Sequence, residues 1–308
     1  MKPIIGILGP TAVGKSSLAL RLAKEINTEI ISADSMQIYK GFDIGTAKPT
    51  PEEMGLVRHH LIDIAEPNDN FSSYLFKEAT DKVLEDFAER NLVPLIVGGT
   101  GFFFKNLLFE FDFEEGRDFL SIREKLRRDY EEFGSGYIHS LLEKIDPDSA
   151  EIIHPNDVKK AIRAIEIYYS TGKRKSEGKN AQMLRYQNIL FVLYRDRKTL
   201  YDDINRRVDK MVEDGLFEEV EKLSKVFRQD CPAFNGIGYK EIIRYINGEY
   251  DKNTAIELVK QHSRNYAKRQ ITFYKKMDAI WLNADEHSSA ELIDIIKTVY
   301  FDRFNIKI

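Results

Sequence analysis

Short apolar runs alternate with amphipathic stretches over the first hundred residues. Candidate strands are Pro3 to Leu8, Glu29 to Ala33 and Leu92 to Val97, and candidate helices are Lys15 to Ile26 and Phe71 to Arg90. Short apolar runs bounded by turn residues predict buried strands, whereas apolar positions three or four residues apart predict helices. Because strands alternate with helices, we predict right-handed crossovers and an α/β fold built on a parallel sheet.

The alternation stops after about Phe111. From there to about Tyr186 the sequence is charged and helical in spacing, with no convincing strand. Strands resume at Gln187 to Tyr194 and at Ala279 to Leu282, and the stretch between Leu200 and Lys276 is mostly helical in pattern. We therefore predict a core of residues 1–112 and 188–308, which includes the C-terminal helices, and a helical insertion domain of residues 113–187.

The composition is typical of a soluble globular protein. Hydrophobic residues make up 43% and charged residues 31% of the chain. The apolar runs are too short to span a bilayer, so we expect no membrane association. The N-terminus does not resemble a signal peptide, and Cys231 is the only cysteine. We therefore expect a monomer without disulfides in the cytoplasm.

Positive charge is concentrated in two tracts, although the net charge is -4. The first tract contains Lys159, Lys160, Arg163, Lys173, Arg174, Lys175, Lys179 and Arg185. The second contains Lys260, Arg264, Lys268, Arg269, Lys275 and Lys276. Such tracts are either solvated helix faces or contacts for a nucleic-acid backbone, and the sequence pattern leaves both possibilities open.

A phosphate-binding loop follows the first predicted strand. Its residues are Gly9, Pro10, Thr11, Ala12, Val13, Gly14, Lys15 and Ser16, which match G-x-x-x-x-G-K-[ST] in full. Glycines let the backbone amides turn toward an anion, and the following helix adds a partial positive charge. Lys15 supplies a full charge, and the hydroxyl of Ser16 can bind Mg²⁺. We predict a P-loop NTPase-like sheet that binds a diphosphate or triphosphate with Mg²⁺.

An acidic residue, Asp34, follows the second predicted strand. The carboxyl ends of parallel strands form the edge where ligands bind, so Asp34 is expected beside the phosphate loop. It could bind water on a metal or accept a proton, or it could serve only as a turn or cap residue. The strand Leu92 to Val97 lacks the terminal aspartate of a hydrolysing NTPase. We therefore favour a site in which diphosphate is a leaving group.

Several sequence blocks resemble those of the bacterial tRNA dimethylallyltransferases, also called isopentenyl-tRNA transferases. Beyond the phosphate loop, they are Ile31 to Tyr39, Asp43 to Pro49, His59 to Asp63, Val97 to Gly101, His154 to Asp157, Gly236 to Glu241 and Ala267 to Thr272. Their order and spacing are highly specific, and together they cover most of the chain. The resemblance implies a P-loop core with a helical insertion domain.

The resemblance also implies a reaction. A dimethylallyl group would move from dimethylallyl diphosphate to the exocyclic N6 amine of the adenosine immediately 3′ of the anticodon in tRNA. The products would be N6-(dimethylallyl)adenosine and diphosphate. The target base would be flipped out of the anticodon stem-loop into a channel through the protein, because a base inside the stack cannot be reached.

Individual roles follow from the same resemblance. Thr11 and Lys15 would hold the diphosphate, Ser16 would help to bind Mg²⁺, and Asp34 would accept the amine proton. Arg123 would reach back to the reacting groups, although Phe111 to Phe119 lacks the Leu-Pro-x-Ala-Asp-Pro stretch that often precedes it in the family. Contacts with tRNA would come from Asp34, Ser35, Met36, Gln37, Thr100, Arg123, Val158, Lys159, Lys160, Ala161, Ile162, Gly238, Lys268, Arg269 and Gln270.

Two further features admit structural explanations. The six histidines show no metal-ligand spacing, so we expect structural roles for them, including the adjacent pair His59 and His60. Phe102, Phe103 and Phe104 could stack on a base, but consecutive apolar residues after a glycine turn are more typical of a core.

Three other functions share parts of this pattern. A P-loop kinase acting on a small metabolite would have the loop and the carboxylate, but would not require the insertion or the second basic tract. A prenyltransferase acting on free adenine nucleotides would differ only in its acceptor. A nucleotide-dependent RNA binder without catalysis would bind tRNA and give no turnover. Incubation with dimethylallyl diphosphate, Mg²⁺ and either tRNA or AMP separates these hypotheses.

Overall fold

The structure is a computed structural model of the 308-residue chain, and it describes residues 1–110, 119–178 and 183–308. The predicted start of the insertion at residue 113 and the basic residue Lys179 lie outside the described residues. The strands within these ranges are β1 (Ile4–Leu8), β2 (Ile30–Ser32), β3 (His59–His60), β4 (Leu95–Gly98), β5 (Asn188–Tyr194) and β6 (Ile280–Asn283).

Helices account for most of the remaining described chain. They are α1 (Lys15–Glu25), α2 (Pro51–Leu56), α3 (Ser73–Glu89), α4 (Gly101–Leu108), α5 (Phe119–Ile145), α6 (Pro147–Ile152), α7 (Val158–Thr171), α8 (Arg197–Glu213), α9 (Leu216–Val226), α10 (Tyr239–Ile246), α11 (Lys252–Tyr274) and α12 (Ser289–Phe304). None of these helices combines the length and the apolar character needed to cross a membrane.

The strands form one sheet in the order β3-β2-β4-β1-β5-β6, and each neighbouring pair is parallel. This confirms the predicted α/β class and parallel sheet. All five residues of β1 are buried, because helices cover both faces of the central strand. The short edge strand β3 was not predicted from the sequence.

The chain divides into two compact units. The core unit comprises Met1–Leu108 and Arg185–Ile308, and the insertion unit is Phe109–Leu184. In the core unit, Ile5 and Ile7 of β1 pack in one cluster with Leu18 and Leu22 of α1. This packing fixes the start of α1, and therefore the phosphate loop, against the end of β1.

The insertion unit contains α5, α6 and α7 with its own apolar core. Leu126, Ile138, Leu142 and Ile165 are buried there. The carboxylate of Glu166 is also buried, and it binds the guanidinium of Arg123 with oxygen–nitrogen distances of 2.6 and 3.0 Å. A buried charge must be paired to be tolerated, so this ion pair belongs to the internal structure of the insertion unit.

Candidate active site

A cavity of about 330 Å³ opens at the carboxyl end of the sheet in the core unit. The phosphate loop lies after β1, Asp34 lies after β2, and the turn Gly98-Gly99 follows β4. These are the neighbouring strands at the centre of the sheet, so their ends converge on one point. The predicted meeting of the loop and the carboxylate therefore has its structural basis in the strand order.

The phosphate loop is curled as an anion site requires. Ala12 has a φ of 65° and Gly14 a φ of 96°, which turns the peptide planes inward before α1 begins at Lys15. Among the described residues, the amides of residues 12–16 have no hydrogen-bond partner. Several unpaired amides at a helix N-terminus form a binding site for a phosphate group.

Lys15 reaches back over its own loop. Its ammonium donates a hydrogen bond to the carbonyl of Pro10 at 2.7 Å. Burial and the nearby guanidinium of Arg207 lower the pKa of Lys15 to about 7, whereas the Asp34 carboxylate opposes this shift. An anion in the cavity would stabilise the charged ammonium, so Lys15 is suited to a phosphate ligand.

Arg207 of α8 is a cavity residue that the sequence analysis missed. Its side chain lines the cavity with Lys15 and Asp34. Burial lowers the pKa of Arg207, and the Asp34 carboxylate opposes this shift. Within the described ranges, Arg207 forms no hydrogen bond or ion pair. A half-buried guanidinium without a partner indicates that the site is built for an anion that the protein itself does not supply.

Asp34 is held at the cavity wall by the loop that it begins. Its carboxylate accepts a hydrogen bond from the amide of Met36 at 2.9 Å. The amide of Ser35, which lies between Asp34 and Met36, donates a hydrogen bond to the hydroxyl of Thr100 at 3.0 Å. Thr100 therefore fixes the backbone that carries the carboxylate. One Asp34 oxygen is occupied by the turn, which leaves the carboxylate able to accept a proton within the cavity.

Gln37 lines the same cavity, but its amide is engaged inside the protein. Its oxygen accepts a hydrogen bond from the hydroxyl of Ser32 at 2.9 Å. Its nitrogen donates to the carbonyls of Thr46 and Ala47 at 3.3 and 3.1 Å. A contact between Gln37 and the target nucleotide stays a prediction, and it would require one of these bonds to be exchanged.

The second basic tract lies mainly on α11, and its members differ in their surroundings. Lys268 and Arg269 are exposed, neither forms an ion pair in the described part of the chain, and Arg269 also lines the cavity. Lys260 instead binds Asp209 and Glu257 at 2.8 and 3.2 Å. Its charge is neutralised by acids on α8 and on its own helix, so it contributes little to a basic surface.

Two other predicted residues on the C-terminal helices support the backbone. Gly238 precedes α10 with a φ of 98°, and its amide donates to the buried carboxylate of Glu241 at 2.7 Å. Gln270 is only 5% exposed. Its oxygen accepts a hydrogen bond from the amide of Thr11 at 3.0 Å, and its nitrogen donates to the carbonyl of Gly99 at 2.8 Å.

The predicted tRNA contacts in the insertion unit fall into two groups. Lys159 and Lys160 are exposed, and the ammonium of Lys160 binds Asp157 at 2.5 Å. Ala161 and Ile162 belong to the apolar core of the unit, with 1% and 8% exposure, and Val158 packs against that core. Of these five residues, only Lys159 and Lys160 have exposed side chains that an RNA could contact. The roles of this segment and of Arg123 stay predictions.

The histidine and phenylalanine features have structural partners. His60 on β3 binds the carboxylate of Glu29 at 2.6 Å, and His59 binds the carbonyl of Val57 at 2.8 Å. Burial lowers the pKa of His59, which favours its neutral form. Phe103 and Phe104 are buried, as expected of core residues, whereas Phe102 is exposed.

Comparisons with known proteins identify the family to which this chain is similar. A sequence model of the IPP transferase family matches residues 37–277. The tRNA dimethylallyltransferase of Halothermothrix orenii is 43% identical over 304 residues, which cover 97% of this chain and 93% of that protein. A crystal structure of a tRNA isopentenylpyrophosphate transferase from Staphylococcus epidermidis is 41% identical, with a TM-score of 0.73 and coverage of 98% and 100% of the two chains. A eukaryotic dimethylallyltransferase that acts on tRNA is 30% identical, with a TM-score of 0.85 and coverage of 98% and 80%.

Proposed function

This chain belongs to the IPP transferase family, and we propose that it transfers a dimethylallyl group from dimethylallyl diphosphate to tRNA. The acceptor is the N6 amine of the adenosine immediately 3′ of the anticodon. The products are N6-(dimethylallyl)adenosine and diphosphate. The family relationship supports the transfer to tRNA, and the cavity in the core unit supports a diphosphate donor.

One observation carries this proposal: two cations and a carboxylate line the same cavity. Lys15 and Arg207 lie close enough to Asp34 for its negative charge to act on the pKa of each. The cations and the amides of residues 12–16 suit the diphosphate, which needs several donors. The carboxylate suits the amine, which must lose a proton. The cavity therefore provides separate groups for the two ends of the reaction.

The reaction balances with these residues. The N6 amine attacks the first carbon of the dimethylallyl group, and the bond from that carbon to the diphosphate oxygen breaks with its electron pair on the oxygen. Lys15 and Arg207 stabilise the charge on the departing diphosphate. Asp34 accepts the proton of the amine as the new bond forms. A positioned carboxylate in this role contributes roughly 10²–10⁴-fold to the rate.

We also propose that Mg²⁺ accompanies the diphosphate. The exposed hydroxyl of Ser16 lies at the start of α1 and lines the cavity beside Asp34. Mg²⁺ in proteins is commonly held by one or two protein oxygens together with substrate phosphates, so this placement fits the ion. When bound, the ion would neutralise charge on the diphosphate. The protein's part is to orient that diphosphate through Lys15 and the loop amides.

Basic residues on both units are proposed to bind the anticodon stem-loop. Lys268 and Arg269 are exposed cations on α11, and Lys159 and Lys160 are exposed at the start of α7, where Lys160 would have to exchange its bond to Asp157 for a phosphate. Phosphate contacts of this kind position an RNA without reading its sequence. We further propose that the protein is a monomer and, since it has a single cysteine, a cytoplasmic enzyme.

The proposal is tested by a transfer assay with alternative acceptors. The protein is incubated with dimethylallyl diphosphate, Mg²⁺ and either unmodified tRNA, tRNA with another base at the target position, or AMP. Mass spectrometry of the digested product should show the added C5 group on the target adenosine of tRNA alone. Product on AMP would indicate a free-nucleotide prenyltransferase, and tRNA binding without product would indicate an RNA binder. Omission of Mg²⁺ in a parallel reaction tests the metal requirement.

A further inference from the structure

Gln270 lies at a junction between α11 and the phosphate loop. Its two hydrogen bonds join backbone groups from different strand ends: the amide of Thr11, after β1, and the carbonyl of Gly99, after β4. The side chain lies close against the glycine turn, since a Cβ atom on Gly99 would approach the Gln270 nitrogen to 2.5 Å. Both ends of the amide are therefore used, and neither points to solvent.

The bond to Thr11 has no substitute among the described residues. Tyr274, one turn later on α11, donates its hydroxyl to the same Gly99 carbonyl at 2.7 Å and lies 3.3 Å from the carbonyl of Gly9. Tyr274 can thus keep α11 attached to the turn after β4 if Gln270 is lost. The amide of Thr11 would be left without a partner, because the Tyr274 hydroxyl is bound to the carbonyls of Gly99 and Gly9 and not to this amide.

Thr11 precedes the residue where the loop adopts its least favourable backbone conformation. Ala12 has a φ of 65°, in the left-handed region that costs an alanine about 1–2 kcal/mol. The Gln270 oxygen fixes the peptide plane between Pro10 and Thr11, one residue before this position. It therefore holds the curl that directs the amides of residues 12–16 into the cavity. Donors that are fixed before the ligand arrives are worth more than donors that must be ordered by it.

We propose that Gln270 is a positioning residue for the diphosphate-binding loop, and that it acts from inside the protein instead of by contact with tRNA. This inference rests on the proposed function for the identity of the donor substrate. The neighbouring Lys268 and Arg269 are exposed on the same helix, and Arg269 also lines the cavity.

The test compares Gln270→Met with a matched control. Methionine keeps the length of the side chain and removes both hydrogen bonds. Thr28→Val is the control, since it removes one buried hydrogen bond, from Thr28 to the carbonyl of Val93 at 2.6 Å, before β2 and β4 begin. For each variant, we would measure Tm, the Kd of inorganic diphosphate by calorimetry, the Kd of tRNA, and kcat/KM for dimethylallyl diphosphate at saturating tRNA.

We expect Gln270→Met to weaken diphosphate binding and to lower kcat/KM by about tenfold, which is the usual effect of leaving one buried amide unpaired. Its tRNA affinity should remain within about twofold of wild type. Thr28→Val should lose a similar amount of Tm and keep wild-type kinetics. A tenfold loss of tRNA affinity with unchanged diphosphate affinity would overturn the proposal, as would equal kinetic losses in both variants. Diphosphate calorimetry decides the role of Gln270 even if the wild type fails to prenylate tRNA.

Discussion

The pKa of Lys15 predicts how diphosphate binding depends on pH. With a pKa of about 7 in the free enzyme, the ammonium is charged in about half of the molecules at pH 7 and in about one of eleven at pH 8. A bound diphosphate favours the charged form, so the pKa of Lys15 rises in the complex. Binding must then take up a proton, and the affinity should fall about fivefold between pH 7 and pH 8.

Arg207→Gln changes this profile in a defined direction. Arg207 contributes to the lowered pKa of Lys15, so its removal raises that pKa and moves the loss of affinity to higher pH. At pH 6, where Lys15 is mostly charged in both proteins, the variant should bind diphosphate about tenfold more weakly, since it lacks one charged donor. The diphosphate affinity of the variant is thus lower than that of wild type at pH 6, and it changes less between pH 7 and pH 8.

The assay is calorimetry with dimethylallyl diphosphate, without tRNA, in buffers of different ionisation enthalpy. These buffers report the number of protons taken up at each pH. The ligand also ionises near pH 6, so Lys15→Ala serves as the control that shows the ligand's own titration. If wild type and Lys15→Ala give parallel profiles between pH 7 and pH 8, the ammonium of Lys15 does not control binding in this range, and the argument fails.

The remaining predictions concern catalysis, tRNA binding and stability. Asp34→Asn should lower the single-turnover rate roughly 10²–10⁴-fold and keep tRNA affinity within a few-fold, so a near-normal rate would remove Asp34 as the proton acceptor. Lys268→Ala should reduce the slope of log tRNA affinity against log salt by about 0.7–0.9, whereas the ion-paired Lys260→Ala on the same helix should leave it unchanged. Equal salt slopes for the Lys268→Ala and Lys260→Ala variants would refute a contact between Lys268 and a tRNA phosphate. Glu166→Gln should lower the free energy of unfolding by about 2 kcal/mol in urea titrations, because the buried carboxylate that binds Arg123 and Arg163 loses its charge. An unchanged urea midpoint would contradict this.

The strands differ in how well the sequence predicts them. β1 and β5 lie in the middle of the sheet and are buried along nearly their whole length, so their sequences are uninterrupted apolar runs. β3 consists of His59 and His60 at the sheet edge. Its pairing with β2 is supported by the bond from His60 to Glu29, a tertiary contact between distant residues. A two-residue polar strand leaves no periodic signal for a sequence pattern to detect.

The cavity residues also differ in how well the sequence predicts them. Lys15 and Asp34 could be predicted because a motif and a strand end place them. Arg207 follows Arg206 on a charged helix, and composition does not distinguish the two. Their positions around the helix do distinguish them. Arg207 lies three residues after the buried Ile204 and therefore on the same face of α8, whereas Arg206 is exposed and paired with Asp203. Side-chain partners from other elements, as for Gln270, cannot be read from one segment.

The insertion leaves the core unit and returns to it at adjoining points. The amide of Arg185 donates to the carbonyl of Leu108 at 2.8 Å, so the two ends of the core chain already meet. When the two ends of a connecting segment lie side by side, its length has little effect on stability, since each doubling of the number of residues costs only about 0.6 kcal/mol of closure entropy. Evolution could therefore lengthen, shorten or exchange this segment without disturbing the sheet. A core in which a short turn joins Leu108 to Arg185 should still fold as an independent protein.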